Sequence, residues 1–155
     1  MRLFIGTTIL ICCFSCGSNH ERTKTIDFKK FSLETPSTWD KFKLWIEDSY
    51  VGGIKLDSED EVTFDLGLYS NSLEDIDSLT HNFEWIVIDG RMTKLVTPKH
   101  PGHGTVAIYI DSLWVSGSFG DDIMVDKFVM GGNDLTPENE KILIEAFRTL
   151  KFKKD

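Results

Sequence analysis

Glu84-Trp85-Ile86-Val87-Ile88-Asp89-Gly90-Arg91-Met92-Thr93-Lys94-Leu95-Val96 is the stretch on which the fold of this chain turns. Two apolar runs flank Asp89-Gly90. A two-residue turn that matches strand twist needs positive φ at both central positions, and Asp-Gly meets that need. The stretch therefore predicts a β-hairpin. Downstream, residues 97–104 form a loop rich in Pro, Gly and His. Val106, Ile108 and Ile110 then alternate with Ala107 and Tyr109, so this strand is apolar on both faces and predicts a central strand covered on both sides. Residues 123–130 predict the last strand.

Upstream of the hairpin the period changes. Leu73, Ile76, Leu79 and Phe83 recur at helical spacing, with Ser72 as a cap, so residues 72–83 predict a helix. Earlier still, Phe31 and Leu33 alternate with polar neighbours, and Thr35-Pro36-Ser37-Thr38 makes a turn before Trp39. Phe42, Leu44 and Ile46 form one alternating set, with Trp45 on its polar side. Tyr50, Gly52, Ile54 and Leu56 form a second, and Val62, Phe64, Leu66 and Leu68 a third. Successive antiparallel strands follow from this pattern. At the far end, Thr136 is an N-cap, Pro137 opens the helix, and Glu138 and Glu140 favour its positive end. Ile142, Leu143, Ala146, Phe147 and Leu150 make one apolar stripe that packs on the sheet. No internal repeat is visible.

The first residues have a different character. Arg2 precedes a mostly apolar run over residues 3–14, and Ser15 precedes Cys16. The run is too short to span a bilayer as a helix, and the pattern is that of an export signal. Residues 13–16 resemble the lipobox of bacterial lipoproteins, with Cys13 where an aliphatic residue is preferred. The resemblance implies cleavage after residue 15, lipid on Cys16, and a polar tether over residues 16–25. More than one acyl chain is needed for stable anchoring. Gly17 stands where an Asp would signal inner-membrane retention, so the outer membrane of a bacterial envelope is the expected location.

All three cysteines, Cys12, Cys13 and Cys16, lie in this segment. The remaining domain has no internal disulfide, no cysteine nucleophile and no Cys-ligated zinc. Removing residues 1–15 takes the net charge from −8 to −9, because Arg2 is the only charge lost. That charge argues against nucleic-acid binding. The remaining 140 residues suit one domain.

Three pieces resemble the PsbP-like domain family, which includes bacterial lipoproteins. They are Lys30-Phe31-Ser32-Leu33-Glu34-Thr35-Pro36-Ser37-Thr38-Trp39, Val87-Ile88-Asp89-Gly90-Arg91-Met92, and Leu135-Thr136-Pro137-Glu138-Asn139-Glu140 before the closing helix. The resemblance implies an α+β domain over residues 26–155, an antiparallel sheet flanked by helices as an α/β/α sandwich. Family members act as assembly factors and docking subunits. The family shares no catalytic motif, so no functional residue transfers, and no cofactor is implied.

Among chemical candidates, His100-Pro101-Gly102-His103 places two imidazoles on a bent loop, where a metal would need His81 or an aspartate as third ligand. Asp57, Glu59, Asp60 and Glu61, like Asp121, Asp122 and Asp126, lack EF-hand spacing and read as acidic turns. Trp45 and Trp114, the latter beside the Gly/Ser-rich residues 116–120, are the candidate interface residues, because aromatics are enriched where proteins meet. The expectation is a non-enzymatic, lipid-anchored binding or assembly module with an envelope protein as partner. The alternatives are a small metal-dependent envelope enzyme using His100 and His103, or an immunity or inhibitor lipoprotein whose acidic face caps a basic partner.

Overall fold

A computed structural model describes residues 22–46, 49–119 and 122–153. The signal segment and Cys16 lie outside the described residues. Ten strands and one α-helix follow in the order β1 (Thr23–Phe28), β2 (Phe31–Pro36), β3 (Asp40–Lys43), β4 (Tyr50–Lys55), β5 (Glu61–Gly67), β6 (His81–Ile88), β7 (Arg91–Pro98), β8 (Thr105–Phe119), β9 (Asp122–Asn133), α1 (Pro137–Arg148) and β10 (Lys151–Phe152). Strand β1 begins inside the stretch read as tether. Among the described residues no helix is long and apolar enough to cross a membrane.

The strands form two antiparallel sheets. The smaller has the order β1-β2-β10, and the larger β3-β4-β5-β9-β8-β7-β6. The hairpin is as the sequence predicts. Asp89 and Gly90 have φ of 49° and 76°, and Ile88 faces Arg91 across the turn.

The α/β/α sandwich is not observed. The fold is β-rich with a single described helix, and the helix predicted over residues 72–83 does not form. Local side chains explain the difference. Asn71 Oδ1 accepts the Leu73 N–H at 2.7 Å, and Asp77 Oδ1 accepts the Leu79 N–H at 2.7 Å. The Asp77 carbonyl also accepts from the Thr80 and His81 N–H groups. Asn71, Asp77 and Thr80 thus give the backbone of this segment side-chain partners that compete with a helical ladder. Phe83 then joins β6, whose pairing starts three residues earlier than Glu84. Likewise β3 stops at Lys43, which leaves Leu44, Trp45 and Ile46 in a connecting loop.

The main sheet presents two unlike faces. On the inner face, the row Phe64–Met130–Ile108–Leu95 crosses four strands and is buried. Helix α1 and the small sheet cover it. Phe31 on β2 sits at its centre, with ring centroids of Phe28, Phe64 and Phe128 at 4.9, 4.8 and 5.0 Å. Leu143, Ala146 and Phe147 of α1 complete this core. The outer face carries the rows Thr63–Gly131–Ala107–Val96–Phe83 and Val51–Asp65–Val129–Tyr109–Lys94–Trp85. No helix lies over it among the described residues. Leu73 and Ile76, from the segment that failed to become a helix, cover Val96, Ala107 and Tyr109. Residues 106–110 of β8 are therefore buried on both faces, with irregular chain in place of the second helical layer.

The acidic turn after β4 is a clasp. Asp57 Oδ2 accepts from Trp39 Nε1 at 3.2 Å and Thr38 Oγ1 at 3.0 Å. Asp60 Oδ2 accepts the Thr136 N–H and the Asn139 side-chain amide, both at 2.8 Å. At the hairpin, Asp89 Oδ2 accepts the Phe152 N–H at 3.0 Å and faces Arg91 and Lys151. Burial works against the Asp60 charge, but the Asn139 and Thr136 hydrogen bonds outweigh it and lower its pKa. Burial likewise opposes the Asp89 charge, and the Phe152 N–H with Lys151 and Arg91 overcomes it, again lowering the pKa. A carboxyl with a lowered folded pKa adds stability above its unfolded value and loses that contribution as pH falls through the folded one. Thermal stability is expected to hold from pH 7 to about pH 5 and then to fall through and below the ordinary carboxylate value, near 3.8. The double variant Asp60→Asn, Asp89→Asn should show a flatter acid limb in the same melts. An unchanged limb would assign acid sensitivity to other groups.

Candidate binding groove on the outer sheet face

The outer face is open between two loops. Leu44 and Ile46 form one wall, and Asn71 and Leu73 form the other. Gly131 and Ala107 lie in the floor, where small side chains leave depth over the sheet. A Cβ on Gly131 would come within 2.5 Å of Ala107 Cβ and the Val106 carbonyl, so strand packing also demands glycine there. The cavity volume is about 390 Å³, within the range of small-ligand clefts.

The groove is mostly apolar, with few polar groups at its rim. Asn71 Oδ1 is occupied by the Leu73 N–H, and Asn133 Oδ1 accepts from Thr105 Oγ1 at 2.6 Å. Asp65 differs from both. Its Oδ1 is buried and has no hydrogen-bond partner among the described residues. A buried carboxylate oxygen without a donor is costly, and an incoming N–H, O–H or ammonium group would relieve that cost. The groove can thus hold an apolar group carrying a hydrogen-bond donor.

Trp45 lies between the two wall residues Leu44 and Ile46 and is 89 % exposed. Its neighbours in the chain are 45 % and 58 % exposed, so the loop offers three large apolar side chains to solvent. Trp114 is placed differently. It is half-buried on β8, edge-on to Phe152 at 6.0 Å, with Nε1 buried and unpaired among the described residues.

His100 and His103 are exposed, and the His103 N–H donates to the His100 carbonyl across the turn. His81, the suggested third ligand, is already engaged. Its Nε2 accepts the Thr105 N–H at 2.9 Å, and its Nδ1 lies 2.9 Å from Thr80 Oγ1. Gly104 has φ of +120°, and a Cβ there would meet His81 Nε2 at 2.6 Å, so His81 serves as a packing and hydrogen-bonding post for this loop. Among the described residues no group of three or more His, Cys, Asp or Glu side chains is arranged to hold a metal.

The geometry defines a β-rich module with one open, apolar sheet face. No family model matches the chain, and no curated protein matches it in sequence.

Sequence reasoning singled out Trp45 but missed the groove beside it. Leu44, Asp65, Leu73, Ala107 and Gly131 come from five separate parts of the chain. Asp65 alone carried a signal, as a charge within an otherwise alternating strand, and that signal is the ordinary one for a solvent-facing position.

Proposed function

We propose that this protein is a binding module of the bacterial cell envelope, held to the membrane by lipid on Cys16, without catalytic activity of its own. It presents the outer face of its main sheet to an envelope protein. The observation that carries this reading is the exposed Leu44-Trp45-Ile46 loop beside the groove. Contiguous exposed apolar surface on a charged domain marks an interaction site. The partner would place an apolar side chain in the groove and a donor, such as an ammonium or guanidinium, against Asp65. The net charge of the domain favours approach of a basic surface.

In-cell crosslinking of the full-length protein tests the reading. One envelope protein is expected to be captured, and its capture lost with Cys16→Ala. Trp45→Ala should weaken binding of the purified partner by about thirtyfold, the effect of truncating an interface tryptophan worth about 2 kcal/mol. Trp45 is so exposed that this change should leave the melting temperature unaltered. Equal binding by wild type and Trp45→Ala would remove the loop from the interface and the reading with it.

A further inference from the structure

The main sheet ends on a strand built to pair. Strand β6 closes one edge of the sheet, and β3 closes the other. The β3 edge is short, four residues, and carries Asp40, Lys41 and Lys43. Charge and shortness are the usual means of discouraging edge pairing. Strand β6 is twice that length, with Glu84 as its one acidic residue and no basic one besides His81. Its eight residues, His81–Ile88, contain no Lys, Arg or Pro and pair with β7 in unbroken register.

The turn fixes which backbone groups of β6 are free. In a two-residue hairpin the flanking residues, here Ile88 and Arg91, form a hydrogen-bonded pair. Alternation along the antiparallel ladder then points the N–H and C=O of Ile88, Ile86, Glu84 and Asn82 toward β7. Those of Val87, Trp85 and Phe83 point away from the sheet. Pro98, opposite His81, falls where no N–H is needed, consistent with this phase. The same three residues carry apolar side chains on the outer face. Trp85 is 64 % and Val87 67 % exposed, with Met92 exposed beside Val87.

The geometry points to a second copy of this chain as the occupant of the β6 edge, paired antiparallel about a two-fold axis at Trp85. The strand is self-complementary in that register. Trp85 meets Trp85 of the other copy, and Phe83 meets Val87 in both directions. About six backbone hydrogen bonds form between the outward-pointing groups. Glu84 falls opposite Ile86, so no like charges oppose. Centring the pair on Glu84 instead would set two carboxylates face to face, and centring it on Ile86 would lose Phe83 to the turn. A two-fold interface of this type closes on itself and does not propagate. The dimer is independent of any partner at the Trp45 loop, since the two surfaces share no residue.

Sedimentation of the full-length protein in detergent, with bound detergent subtracted from the mass, tests this. Wild type at about 50 µM is expected to be a dimer, in the range of a modest symmetric interface. Trp85→Lys should halve the mass, because two ammonium groups then meet on the axis. Val87→Lys is the second variant, at an equally exposed position, should the first fold poorly, and circular dichroism confirms folding of each. A monomeric wild type overturns the proposal. So does a dimer that survives in a folded lysine variant, since its contact would then lie in the anchor or on another surface.

Discussion

Phe31→Ala is expected to lower the free energy of unfolding by about 3–5 kcal/mol. Phe31 has no solvent exposure and touches Phe28, Phe64 and Phe128 at centroid distances near 5 Å. It joins the small sheet to the large one, and Phe152 of β10 also lies against it at 6.1 Å. Truncation removes the transfer energy of the ring and opens a cavity among aromatic neighbours that are held by three strands and cannot collapse inward. Domains of this size commonly have about 5–15 kcal/mol in total, so the variant should lose much of its stability. Denaturant titration gives the result directly. A loss under about 1 kcal/mol would mean that the two sheets are joined chiefly through α1.

Asp60→Ala is expected to cost about 2–3 kcal/mol, large for a residue outside the apolar core. The carboxylate accepts from the Thr136 N–H and the Asn139 amide, and Asn139 is itself buried. Alanine leaves the Thr136 N–H without a partner and the Asn139 amide with the Asp57 carbonyl alone, at the start of α1, where the first N–H groups have none within the helix. Asp60→Asn retains one acceptor oxygen and should recover part of the loss. The comparison by denaturant melts separates the hydrogen bonds from the packing of the turn. If alanine and asparagine cost the same, the charge rather than the acceptor geometry holds the helix end.

Asp60 also shows where sequence reading stops. The run Asp57-Ser58-Glu59-Asp60-Glu61 has the composition of a solvated turn, and most of it is exposed. Nothing in the chain says that Asn139, far away in sequence, would reach it. The helix predicted over residues 72–83 fails for a related reason. Apolar spacing of 3.6 residues was present, but Asn71 and Asp77 close local turns that end the helical ladder before it starts, and Leu73 takes a left-handed φ of 57°. The resemblance to a helix-flanked sandwich carried the same expectation and met the same obstacle.

What survives from local chemistry is the set of features each settled within a few residues. Asp89-Gly90 makes its turn because both residues tolerate positive φ. The β5 and β8 patterns become strands because alternation sends every second side chain to the inner face. Thr136-Pro137 starts α1 because its cap and its missing N–H suit a helix end. Sheet order, the open outer face, the groove floored by Gly131 and Ala107, and the free edge at Phe83, Trp85 and Val87 belong to the tertiary structure alone. They depend on which strands lie side by side and on which loops fail to cover them, and those outcomes come from contacts between residues far apart in the chain.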